Sequence, residues 1–135
     1  MDDILVPISV GELMDKVTIL EIKSERIKNP AQHANIASEL TALRAIVARL
    51  DLAAVKQPVT ALKSVNSELW DVEDRIRECE TQADFGPSFI DFARAVYRLN
   101  DERARLKRTI NEVSGSRLVE EKSYWSGADV KTRSS

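Results

Sequence analysis

The chain has 135 residues, with 20 Lys and Arg against 22 Asp and Glu, for a formal net charge of −2. That length suits a single core, and the near-balanced charge removes any general argument for nucleic-acid or anionic-membrane binding. One cysteine, Cys79, excludes a disulfide framework and a cysteine-rich zinc site, and one histidine, His33, argues against a histidine metal site. No apolar run approaches the roughly 20 residues that span a bilayer. The acidic opening MDDILVPISV lacks the basic stretch and long apolar core of a secretory signal, so a cytoplasmic protein is expected.

In chain order, Ser9-Val10-Gly11-Glu12 has the spacing of a capping box. Leu13, Val17, Leu20, Ser24 and Ile27 then follow the alternation of a helix face. Ile19 and Ile22 lie off that stripe, so this helix is expected either at the centre of the fold or against a second copy. Asn29-Pro30 reads as an N-cap followed by proline, opening a second helix with Ile36, Leu40, Leu43, Val47 and Leu50 on one face and its end near Asp51. Leu52 to Gln57 is the longest internal connection, long enough to let two hairpins splay. Pro58 opens a third helix, with Leu62, Val65, Leu69, Val72, Ile76 and Cys79 on its face. After Phe85-Gly86-Pro87 a fourth presents Phe89, Phe92, Val96, Leu99, Arg103, Leu106, Ile110 and Val113, stopping before Gly115. Each helix is expected to hold about 20–27 residues, roughly 30–40 Å. The spacing predicts an all-α fold, an antiparallel four-helix bundle of two long helical hairpins with a C-terminal arm. A single domain is expected over residues 4–125, with Ser126–Ser135 as a frayed tail.

Charge is distributed unevenly. Seven acidic residues lie between Glu68 and Asp84, and six basic ones between Arg94 and Arg108. Folded back about Phe85-Gly86-Pro87, these stretches are expected to zip together through exposed pairs that fix register and contribute only ~0–1 kcal/mol each. Inside the fold, Asn100, Arg103 and Lys107 interrupt an apolar stripe of the fourth helix, and Asn66, Glu73 and Glu80 flank the face of the third. The first helix adds Glu12, Lys16, Lys23 and Arg26 along one edge. A buried Arg103 must find a carboxylate, for which Glu73 is the candidate, or an anionic ligand. Two outcomes stay open: a closed salt-bridge network, or an anion pocket built from Arg103, Lys107, Asn100 and first-helix cations, since guanidinium forks suit phosphate and carboxylate. Trp70 reads as a core or interface anchor, His33 as a surface residue and Cys79 as a small buried hydrophobe.

Several segments carry a resemblance. They are Pro7-Ile8-Ser9-Val10-Gly11-Glu12-Leu13 with Asp15-Lys16-Val17-Thr18-Ile19-Leu20-Glu21-Ile22-Lys23 and Glu25-Arg26-Ile27; Leu69-Trp70-Asp71-Val72-Glu73-Asp74-Arg75-Ile76-Arg77; Asn100-Asp101-Glu102-Arg103-Ala104 with Lys107, Ile110 and Asn111; and Glu120-Glu121-Lys122-Ser123-Tyr124. Over nearly the whole chain short of the tail, the sequence resembles a family of small bacterial all-helical proteins of uncharacterised function. The resemblance implies a bacterial, helical, single-domain protein and no particular reaction. The segment after the last long helix is expected to fold across the bundle, bringing Lys122 and Tyr124 near the first helix, with Tyr124 and Trp125 packing to pin it.

Three classes of function follow. The leading one is a binding or interaction module, expected to form a homodimer, with Lys16, Lys23, Arg26, Asn100, Arg103, Lys107 and Lys122 as candidate anion-binding residues and Glu12, Glu73 and Tyr124 as their network partners. Its ligand would be an anionic small molecule or a partner protein. The second is a Mg²⁺-dependent all-α nucleotide pyrophosphohydrolase, in which the Glu12/Asp15 and Glu68/Asp71 pairs would hold the ion. The third is a chorismate-mutase-like enzyme using Arg26, Arg103 and Lys107 on a dicarboxylate. No metal site or cofactor is expected outside the Mg²⁺ of the second reading, and no nucleic-acid or membrane partner in any. Whether the protein catalyses a reaction stays open.

Overall fold

Ser9 opens the first helix, α1 (Val10–Arg26), by accepting the Glu12 N–H on its Oγ at 3.0 Å. Only this half of the expected capping box forms, because the Glu12 carboxylate is drawn to Lys107. A computed structural model of the chain describes residues 1–125, so the expected tail Ser126–Ser135 lies outside the described residues. Asn29 caps α2 (Pro30–Val47) by accepting the Gln32 N–H at 3.1 Å, with proline in the first turn. At 17 and 18 residues these two helices are shorter than expected. α1 ends in extended backbone at Ile27, and Pro30 keeps Asn29 out of the helical region, so the chain turns before α2 begins. After Val47 the chain tightens into turns, with Arg49 and Leu50 donating to the carbonyls of Ile46 and Val47.

The connection that follows does not let the hairpins splay. It contains a short 3-10 turn, Ala53–Val55, whose Val55 is buried in the core against α3 and α4. α3 (Lys56–Thr81) begins two residues before Pro58, which still falls in the first turn, where its missing N–H removes no helical bond. α4 (Pro87–Ser114) ends on Gly115 at φ +72°, the left-handed conformation that glycine adopts without strain. The turn leaving α3 uses the same left-handed conformation at Ala83, φ +51°, where a Cβ makes it costly.

The four helices form an all-α bundle, with no strand among the described residues. α1 touches the other three helices, whereas α2 runs against α1 alone. The two apolar sides of α1 therefore reflect its central position. Leu13, Val17 and Leu20 meet Ile36 and Leu40 of α2, Leu62, Val65 and Leu69 of α3, and Leu106 and Ile110 of α4 in one core. Each such side chain contributes about 1.5–3 kcal/mol by leaving water. Between Leu69 and Leu99 the α3/α4 hairpin runs past this core. There Val72, Ile76, Phe89, Phe92 and Val96 are half-buried, and only Cys79 is buried.

Two expectations about polar surfaces need correction. No ion pair joins α3 to α4 among the described residues. Their charges pair within a helix, as in Arg75–Glu78, Arg77–Asp74 and Arg105–Glu102, or with α1 and the C-terminal arm, as in Lys63–Glu25, Arg103–Asp15 and Arg108–Glu121. The helices meet through apolar faces, which turns most of their charges outward and apart. His33 is half-buried rather than a surface residue, its Nε2 lying 3.2 Å from the Ser24 carbonyl oxygen of α1. No helix among the described residues is long and apolar enough to cross a membrane.

Candidate functional site

The charged cluster lies where α1 crosses α3 and α4. At its centre is Asp15, 2% exposed. Arg103 holds it with a two-pronged contact, Nε at 2.9 Å and Nη2 at 2.6 Å, and Asn66 of α3 donates to the same carboxylate at 3.1 Å. Asn66 also donates to the Thr18 hydroxyl at 3.2 Å, which itself donates to the Asp15 carbonyl at 3.0 Å. Lys107 sits 2.7 Å from Glu12 and 3.9 Å from Asp15. Two carboxylates and two cations thus alternate across the α1/α4 contact.

Burial pushes the Asp15 carboxyl toward a higher pKa, but hydrogen bonds from Arg103 and Asn66 and the charges of Arg103 and Lys107 outweigh it, so the pKa is lowered. The bond to Asp15 outweighs burial at Arg103 as well and raises its pKa. Asp15 is therefore a carboxylate, and its guanidinium partner stays charged.

The start of α1 is closed in the same way. Of its free N–H groups, Val10 donates to the Ser116 hydroxyl at 3.2 Å, Gly11 to Asn111 Oδ1 at 2.6 Å and Glu12 to Ser9. The Ser9 hydroxyl donates to Glu120 of the C-terminal arm. A Cβ on Gly11 would lie 2.5 Å from the Lys107 carbonyl oxygen, so only glycine permits this approach of α1 to α4. Among the described residues, every buried side-chain nitrogen and oxygen has a partner.

The arrangement corrects the expected partner of Arg103. Glu73 is exposed and acts on Arg103 only through its distant charge, while Asp15 makes the contact. Asp15 had a signal in the sequence. Gly11, Asp15, Thr18 and Ile22 recur at helical spacing, and all four are buried as the second face of α1. Two small residues, a carboxylate and one isoleucine do not read as an apolar stripe.

The seven expected anion-binding residues do not converge. Lys16, Lys23 and the outer edge of Arg103 share a shallow cleft of about 230 Å³, along with Glu12 and Glu39. Among the described residues, neither lysine pairs with a carboxylate. Lys107 is spent on Glu12, and Asn100 is half-buried one turn before Arg103. Arg26 stands apart, 2.5 Å from Asp71 and with its guanidinium carbon 5.6 Å from the centre of the Trp70 ring. Lys122 is in a different groove, about 640 Å³, between α4 and the C-terminal arm. It pairs with Asp101 at 2.7 Å and lies 5.2 Å from the Tyr124 ring centre. Lys122 and Tyr124 thus lie along α4 rather than at α1. Tyr124 and Trp125 are exposed and do not pin the arm, which is held by Glu120–Ser9, Glu121–Arg108 and Lys122–Asp101.

The Glu12/Asp15 pair is bound to α4 cations and Asp71 to Arg26, and no three acidic, histidine or cysteine side chains gather into a metal-holding group among the described residues. The fold and cluster define a helical domain whose internal charges are mutually satisfied. The chain belongs to DUF6165, a family of unknown function, whose model matches residues 4–135 and so runs through the segment set aside as a tail. No curated protein and no solved structure matches the chain.

Proposed function

We propose that this protein is a non-catalytic, self-associating interaction module, with the Asp15 network as its internal lock and the outer half of the α3/α4 hairpin as its recognition surface. The observation that carries this reading is the row of half-buried side chains Val72, Ile76, Phe89, Phe92 and Val96, which α1 and α2 leave uncovered. A two-helix hairpin alone is marginal in water, because each helix buries only one side. A partner on the open face supplies the missing burial. The closed network points the same way, since Arg103 and Lys107 have little capacity left for a substrate.

Sedimentation of the full chain across a wide concentration range tests this reading. A reversible monomer–dimer equilibrium is expected, with a melting temperature that rises with concentration. A monomer at every concentration, with a constant melting temperature, would contradict it.

A second reading rests on Lys16 and Lys23, which flank the outer edge of Arg103 without a carboxylate partner. Under it, the small cleft takes a phosphate or carboxylate. A ligand at about 100 times its dissociation constant stabilises the fold by ~2.7 kcal/mol. A thermal-shift series with phosphate, sulfate and dicarboxylates should then raise the melting temperature of the wild type but not of K16A/K23A.

A further inference from the structure

The far part of the C-terminal arm, residues 119–125, is exposed at all seven positions, Val119, Tyr124 and Trp125 included. Among the described residues, none of its backbone groups pairs with another backbone group. Three side-chain contacts hold it to the bundle. Glu120 accepts from the Ser9 hydroxyl, Glu121 lies 3.1 Å from Arg108, and Lys122 lies 2.7 Å from Asp101. The contact of Lys122 with the Tyr124 ring is internal to the arm and fastens it to nothing else.

The stretch just before it is built differently. Ser116 is half-buried and donates its N–H to the Asn111 carbonyl at 2.9 Å. Its hydroxyl accepts the Val10 N–H at 3.2 Å and donates to the Leu118 carbonyl at 2.8 Å, and Leu118 is itself half-buried. The chain is thus anchored as far as Leu118 and only latched beyond it. Fixing each residue costs conformational entropy, which apolar burial usually offsets. Residues 119–125 bury no apolar side chain. Exposed charge pairs offset little of that cost, and less as salt rises. A segment with few apolar contacts and exposed hydrogen bonds opens without the rest of the fold.

We propose that residues 119–125 form an electrostatic strap, closed on α4 at low ionic strength and lifted from it as a unit at high ionic strength, with residues 116–118 as its fixed root. Closed, the strap runs back along α4, occupies Arg108 and Asp101 two turns apart, and forms one wall of the groove of about 640 Å³. Open, it releases Asp101, leaves Arg108 to Glu112, and takes that wall away. The shape of the groove therefore follows the ionic strength around it.

The test is ¹⁵N relaxation of the full-length protein at about 0.01 M and about 1 M sodium chloride, between which the screening length falls from ~30 Å to ~3 Å. In dilute salt the amides of residues 119–125 should share the order parameters of α4, about 0.85, and in concentrated salt they should fall below about 0.6 while residues 116–118 stay unchanged. E121Q/K122Q removes both ion pairs at exposed positions. It should free the strap already in dilute salt and leave the helical circular dichroism as in the wild type. K122D alone should loosen the strap in dilute salt, and D101K/K122D, which exchanges the two charges, should order it again. A strap equally ordered in both salts, or as well ordered in E121Q/K122Q as in the wild type, would overturn the latch. So would a wild-type strap that is already disordered in dilute salt.

Discussion

The inner and outer halves of the α3/α4 hairpin are continuous helices with opposite fates. In the inner half, around Asn66 and Arg103, α1 lies across the pair, and both apolar and polar groups find partners inside the chain. In the outer half, around Ile76 and Phe92, the apolar residues stay half-buried, and apart from Asp71, held by Arg26 of α1, the charged pairs lie within one helix. Even the helix ends differ. α4 stops on a relaxed left-handed Gly115, α3 on a strained Ala83. Composition does not separate the halves. What separates them is whether a third helix is present, and that locates stability at one end and leaves at the other the surface proposed for recognition.

The largest effect expected from breaking this contrast is at Arg103. R103A leaves the Asp15 carboxylate buried without its main partner and should cost about 3–5 kcal/mol in urea unfolding. Truncation of apolar residues should sort by half. I110A, in the fully buried core, should cost about 2–5 kcal/mol, and I76A, already part-solvated, markedly less at concentrations where the chain is monomeric. G11A forces a methyl group onto the Lys107 carbonyl and should cost about 1–3 kcal/mol. At the other end, A83G should stabilise by about 1 kcal/mol, as the left-handed turn loses its Cβ clash.

The pH dependence sharpens the same contrast. With its pKa lowered by folding, Asp15 contributes stability that is fully present above the ordinary aspartate value and is lost as pH falls below about 4. The wild type should therefore lose stability below that pH faster than D15N, as followed by circular dichroism. Equal slopes for the two would mean that the Asp15 carboxylate contributes nothing to the folded state.

Much of the fold was legible because helix punctuation is local. Ser9, Asn29-Pro30, Gly86-Pro87 and Gly115 act within a turn of themselves, and each stands at the boundary it predicts. The site was legible only in part. Arg103 stood out as a cation in an apolar stripe, but its partner is 88 residues away on a face of α1 too mixed to read as buried. Glu73 drew attention because α3 was expected opposite α4, yet it points outside the contact. The supposed zipper counted charges along the chain rather than around each helix, and helical direction decides whether opposite charges meet.

The most direct test of the closed network is a double-mutant cycle on Asp15 and Arg103, using D15A, R103A and the double variant in ligand-free buffer. Each single change should destabilise strongly and the double variant less than the sum, with a coupling of about 2–3 kcal/mol that added phosphate leaves unchanged. If R103A proved about as stable as the wild type and lost only a response to anions, the cluster would be an open anion-binding site and not a closed network.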